Sequence, residues 1–105
     1  MELKIFWTNF AKNELKNIYN YHKQVASTKV AKRIVKNIAL ETKNLSMQPE
    51  MGQVEELLQN RPQNFRYLVH TNYKIIYWKN REKNRVEIVD IFDCRQNPTK
   101  IKRNK

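Results

Sequence analysis

The spacing of hydrophobic positions divides this chain into one short alternating run, two helical runs and three further alternating runs. Residues 2–7 alternate, with Leu3, Ile5 and Trp7 pointing one way and Glu2, Lys4 and Phe6 the other, which predicts a strand. Thr8 then offers a hydroxyl to an early helical N–H. Over residues 9–24, Ala11, Leu15, Ile18 and Tyr19 form one stripe that His22 continues, while Lys12, Lys16, Asn20 and Lys23 face elsewhere. That is an amphipathic helix. A break at Val25 and Ala26 leads to Ser27, a second candidate cap. Beyond it Ala31, Ile34, Val35, Ile38 and Leu45 recur at helical spacing, with Thr42 in the same stripe and Lys29, Lys32, Arg33, Lys36 and Lys43 mostly outside it. So short a break predicts an antiparallel helical hairpin. Met47 and Pro49 end the second helix, because proline cannot continue the hydrogen-bond ladder.

Residues 49–52 read as a turn in which Gly52, the only glycine, is expected at positive φ. Val54, Leu57 and Leu58 suggest a short helical turn or an apolar plug, and residues 60–64 a loop. Three runs rich in Val, Ile, Tyr and Phe follow at 65–69, 73–79 and 85–92, predicting consecutive strands. In the second, Tyr73, Ile75 and Tyr77 share one face and Lys74, Ile76 and Trp78 the other. In the third, unbroken alternation sets Val86, Ile88, Asp90 and Phe92 against Glu87, Val89 and Ile91. The order strand, helix, helix, strand, strand, strand implies an α+β fold. An N-terminal strand and an antiparallel two-helix hairpin precede a three-stranded antiparallel meander. Both helices are expected on one face of the sheet, leaving the other partly open.

Composition sharpens this picture mainly through charge. The 105 residues carry 21 Lys and Arg against 10 Asp and Glu, a net charge of +11, which favours a polyanion or an acidic protein as partner. The length suits a single domain. No stretch approaches the roughly 18 apolar residues of a membrane span, so no membrane partner is expected. The single cysteine and the absence of a signal-peptide core at the N-terminus point to the cytoplasm. Residues 95–105 hold five cations and no acid, a candidate electrostatic arm.

The candidate chemistry is cationic and aromatic. Arg66, Lys74 and Arg95 lie on or beside the strands, interleaved with Tyr67, Tyr73, Tyr77 and Trp78. On an open sheet such residues hold phosphates and stack on bases. The competing explanations are a lysine lying along its own stem and arginines paired with Glu87, Asp90 or Asp93 across the sheet. His22 reads as a packed helical residue and His70 as a turn residue. Cys94 reads as a buried or half-buried structural thiol. One cysteine and two separated histidines give no metal-ligand spacing, and no glycine-rich phosphate loop is present, so neither metal nor cofactor is expected.

Taken in order, these motifs resemble the RelE/ParE superfamily of bacterial type II toxins. The resemblance runs from Trp7-Thr8 and the helix with Ala11, Leu15 and Ile18, through Pro49-Glu50-Met51-Gly52 and Arg66-Tyr67-Leu68-Val69. It continues in Tyr73-Lys74-Ile75-Ile76-Tyr77 and closes on Ile91-Phe92-Asp93-Cys94-Arg95-Gln96-Asn97-Pro98. It implies a toxin domain over residues 1–98 with a basic tail at 99–105, and an acidic antitoxin that wraps a segment over the toxin. RelE-type members cut messenger RNA on the ribosome without metal; ParE-type members poison DNA gyrase. By this resemblance, Lys74 would hold phosphate and Arg95 would stabilise charge at the scissile phosphate, with Arg66 in support and Tyr67 or His70 as acid or base. Lys74, Arg95, Lys100, Lys102 and Arg103 would form the surface for nucleic acid or target. The chain departs from the RelE pattern at Phe65 and Tyr67, where lysines are frequent, and in residues 96–105, which contain no Tyr or His. A ParE-like growth inhibitor is therefore expected. The alternatives are a ribosome-dependent ribonuclease and a non-toxic basic nucleic-acid-binding module.

Overall fold

A computed structural model describes residues 2–95 and 98–103. The alternating N-terminal run forms β1 (Lys4–Trp7), the two helical runs form α1 (Asn9–Val25) and α2 (Thr28–Lys43), and the meander forms β3 (Arg66–His70), β4 (Tyr73–Asn80) and β5 (Arg85–Asp93). Both expected caps are made. Thr8 Oγ1 accepts from Ala11 N at 3.2 Å and Ser27 Oγ from Val30 N at 3.1 Å, each satisfying an otherwise unpaired N–H of its helix. The Thr8 hydroxyl also donates to Ile88 O at 3.1 Å, which ties the start of α1 to β5.

The sheet has the order β1-β5-β4-β3-β2, where β2 is a two-residue strand, Gln53–Val54, paired with β3. Sequence periodicity could not reveal so short a strand. β1 runs parallel to β5, with Ile5 opposite Val86, and the remaining pairs are antiparallel. The helices bury their apolar stripe on one face. Ala11, Ile18 and Ile38 meet Tyr73, Ile75, Tyr77, Val86, Ile88 and Ile91 there, with Leu3, Ile5 and Trp7 at the margin.

Three expectations give way. The β4–β5 register shifts between Ile76 and Tyr77: Ile76 pairs with Asp90 and Tyr77 with Ile88, leaving Val89 as an extra residue. This bulge reverses the facing of the residues beyond it, so Ile91 joins the helix-side core and Phe92 the opposite side. Gly52 is not at positive φ. A Cβ there would stand 2.5 Å from Tyr77 Oη and 2.7 Å from Tyr67 O, so the residue is small because Tyr77 approaches it. Finally, the C-terminal segment lies on the second face, which stays partly open as expected. A 3-10 turn at Pro98–Lys102 seats Ile101, fully buried, against Leu58, Phe65, Ile76 and Phe92. Up to Arg103 the tail is thus packed onto the domain instead of forming a free arm, because Ile101 gives it an apolar anchor. Gln96 and Asn97 of the closing motif, and the tail's last two residues, lie outside the described residues.

Candidate functional site

Lys74 projects from β4 on the side away from the helices, the side it shares with Tyr67 and Ile76. Its ammonium donates to Glu55 Oε2 at 2.9 Å and lies over the Tyr67 ring, 4.2 Å from the centroid. Glu55 is only 3% exposed, and its other oxygen accepts from Leu57 N at 3.2 Å at the start of a 3-10 turn. A buried carboxylate left without its cation is costly, so this pair is a strong internal attachment. Glu55 was not legible as a site residue. It reaches Lys74 because β2 draws the chain alongside β3, where Glu55 N donates to Phe65 O at 2.9 Å.

Arg95 is held differently. Its Nε and Nη2 grip both oxygens of Asp93 at 3.0 and 2.8 Å, and its backbone N donates to Oδ1 at 2.9 Å. This fork holds the Asp93 carboxyl below the usual range and pushes the guanidinium pKa further up. Asp93 pairs with Tyr73 across the β4–β5 ladder, and Tyr73 faces the helices. Consecutive strand residues point to opposite faces, so Arg95, anchored through Asp93, belongs to the Tyr73 side and Lys74 to the other. The two expected phosphate-binding cations are not brought together. Arg95 instead lines a groove of about 330 Å³ with Glu14, Asn17, Tyr21 and Tyr73.

The remaining candidates scatter. Arg66 pairs with none of Glu87, Asp90 or Asp93; its Nη1 donates to Gly52 O at 2.8 Å and Glu50 O at 3.3 Å, bracing the turn before β2. Tyr67 Oη donates to Gln53 Oε1 at 3.0 Å. His70 sits with Nδ1 3.9 Å from Glu41 Oε1 of α2, on the helix side and away from Lys74. His22 Nε2 shares a 3.0 Å hydrogen bond with Tyr73 Oη, whose pKa is raised by burial and then by Asp93. In the tail, Lys100 and Lys102 are exposed, whereas Arg103 Nη2 donates to Glu14 Oε2 at 3.0 Å and to fully buried Asp90 at 3.1 Å. Cys94 is exposed instead of packed, and its thiol pKa is pushed up by desolvation, against a smaller opposing effect of Lys74. Among the described residues no cluster of three His, Cys, Asp or Glu could hold a metal ion, and no helix is long and apolar enough to cross a membrane.

Comparison with known proteins follows the fold. The chain is similar in structure to the chromosomal ParDE toxin–antitoxin system from P. aeruginosa, with a TM-score of 0.73 at 18% identity, over 88% of this chain and 96% of that one. It is also similar to the toxin–antitoxin complex RelBE2 from Mycobacterium tuberculosis, with a TM-score of 0.62 at 16% identity, over 89% and 99% of the two chains. A sequence search of curated proteins finds no match. The profile of the ParE toxin of the type II toxin–antitoxin system parDE matches residues 5–98. That match spans β1 to the end of the meander, including every motif on which the resemblance rests. The chain belongs to the ParE toxin family of type II toxin–antitoxin systems.

Proposed function

We propose that this toxin arrests growth by acting on DNA gyrase, and that an acidic cognate antitoxin neutralises it. The observation that carries the choice of target is the internal neutralisation of Lys74 by Glu55, with Arg95 on the other side of the sheet. Cleavage of RNA by its own 2′-hydroxyl builds charge at one phosphate. It requires fixed cations converging on that phosphate and an acid or base within hydrogen-bond reach. Here the nearest cation is engaged by a buried carboxylate, and His70 lies on the helix side. Membership of the ParE family, as opposed to the RelE branch, supports the same reading. The two structural neighbours come from toxin–antitoxin systems, which supports an antitoxin partner.

The deciding experiment is induction of this chain in cells, with DNA supercoiling and messenger integrity followed together. Growth should stop, purified gyrase should lose supercoiling activity on adding the toxin, and messages should stay intact. Codon-phased cuts in translated messages, with gyrase unaffected, would overturn the reading in favour of a ribosome-dependent ribonuclease. Normal growth would overturn toxicity itself.

A further inference from the structure

A second group of cations lies beyond the helices, where the turn before β2 meets the β4–β5 hairpin. Arg66, Lys79 and Arg81 border one depression of about 270 Å³ together with Glu50, Gln63 and Asn64. Two further depressions, of about 410 and 320 Å³, share Lys79 and Arg81 with it, and the smaller is bordered by Trp78, Gln63 and Asn64. Three cations from two places in the chain, Arg66 at the start of β3 and Lys79 with Arg81 where β4 ends, therefore converge on one concave region.

One carboxylate stands among them. Glu50 Oε1 accepts from Lys79 Nζ at 3.0 Å, and its pKa is held down by Lys79 first, with Arg66 and Arg81 adding to the effect. Its side chain is 58% exposed, so this is a screened surface pair, unlike the buried pair of Glu55 and Lys74. A phosphodiester carries the same single charge, and because the carboxylate is exposed it can swing out and leave the cations to an incoming phosphate. The surrounding backbone is fixed. Tyr77 Oη donates to Pro49 O and accepts from Gly52 N, both at 2.9 Å, and Arg66 Nη1 clasps the carbonyls of Glu50 and Gly52. Across the basin, the Asn80 side chain accepts from Lys83 N at 3.2 Å and donates to Glu87 at 2.9 Å, setting the hairpin that carries Arg81. Arg66 keeps further N–H groups for a ligand, and the Arg81 side chain has no hydrogen-bond or ion-pair partner among the described residues.

The surroundings select the kind of anion. The half-buried Trp78 ring borders the adjoining depression, and Gln63 Oε1 is buried with no hydrogen-bond partner among the described residues. A ring, an unpaired amide oxygen and a cluster of cations suit a nucleotide, which brings a stacking face, polar base edges and a phosphate together. An acidic peptide would use the cations alone. We propose that this basin is a binding site for single-stranded nucleic acid, with a phosphodiester among Arg66, Lys79 and Arg81 in the place Glu50 now takes, and a base against Trp78 and Gln63. The cation cluster is separate from Lys74 and Arg95, although Trp78 lies on the Lys74 side of the sheet, and the site does not depend on which target the toxin inhibits.

The test is fluorescence anisotropy of a labelled 12-nucleotide DNA strand titrated with the full chain at several salt concentrations. Lys79→Ala with Arg81→Ala should weaken binding by about tenfold or more and flatten the salt dependence by about 1.4, roughly 0.7 for each lost phosphate contact. Lys29→Ala with Lys36→Ala removes the same charge from α2 and should change affinity less than about threefold. Glu50→Gln, which removes a competing anion from an exposed position, should tighten binding several-fold. Equal losses in the two double variants would overturn the proposal in favour of diffuse attraction by a +11 protein. So would a Glu50→Gln protein that binds no tighter, or tighter binding of a polyglutamate peptide than of the strand.

Discussion

Gly52 illustrates how one residue can be conspicuous in a sequence for a reason that only the fold supplies. As the sole glycine, in a turn, it invites a backbone explanation, yet its φ is not positive and the constraint is close approach by the Tyr77 hydroxyl, 25 residues away, and by the Tyr67 carbonyl. Tyr77 is fully buried and its oxygen joins Pro49 O to Gly52 N, so the ring has no room to retreat from a new methyl group. Gly52→Ala should therefore destabilise the protein by about 1–3 kcal/mol through overpacking. Tyr77→Phe should cost about 1–2 kcal/mol, because it leaves a buried N–H and carbonyl without their partner. Removing the hydroxyl also removes the nearest clash, so the double variant should lose less than the sum of the two. Urea unfolding of the four proteins measures this; strict additivity would show that the Tyr77 oxygen is not what excludes a side chain at residue 52. The same limit applies to Lys74. Its position on a strand was legible from the residue pattern, but its partner Glu55 was not, since it lies 19 positions away beyond β3 and an irregular loop.

At the scale of elements, regular segments were legible and irregular ones were not. The helices announce themselves by stripe and cap, and β4 by its run of Ile and aromatic residues from Tyr73 to Trp78. β5 carries a bulge that no residue marks, so simple alternation puts Ile91 and Phe92 each on the wrong face. The C-terminal segment hides its place for the opposite reason. Its cations dominate the pattern, while a single Ile101 decides where it lies. If packing governs, Ile101→Ala should destabilise the domain by about 2–4 kcal/mol, the cost of emptying a filled core position. Lys100→Ala and Lys102→Ala, both at exposed positions, should stay within about 0.5 kcal/mol. Thermal or urea unfolding separates the outcomes; an Ile101→Ala protein as stable as the lysine variants would make the segment an electrostatic arm after all.

Across the whole molecule the net charge of +11 is unevenly distributed. On and around the sheet, Lys74, Lys79, Arg85, Arg95 and Arg103 each pair with a carboxylate. On the helical hairpin, Lys12, Lys16, Lys23, Lys29, Lys32, Arg33, Lys36 and Lys43 are exposed, and none forms an ion pair with a described residue. Most cations on the sheet are thus paired, with Arg66 and Arg81 among the exceptions, and much of the unpaired charge resides on the helices. Between the helices runs an apolar groove of about 460 Å³, lined by Trp7, Leu15, Tyr19, Val35 and Ala39 with Lys12 and Lys16 at its edge. At 100° per residue, Lys12, Lys16 and Lys23 fall within about 40° on α1, and Lys29, Lys32, Lys36 and Lys43 within about 60° on α2. Each stripe adjoins residues that line the groove. An apolar floor between lysine rims fits an amphipathic acidic segment of the kind an antitoxin would supply. Rim charges act mainly on encounter, and floor residues on retention. Lys16→Glu with Lys36→Glu should thus slow antitoxin association by about tenfold at low salt and remove most of its salt dependence. Tyr19→Ala should instead speed dissociation and leave the association rate within about twofold. Surface plasmon resonance with the antitoxin immobilised gives both rates. An unchanged association rate in the charge-reversed protein would place the antitoxin elsewhere and leave the helical lysines with no assigned partner.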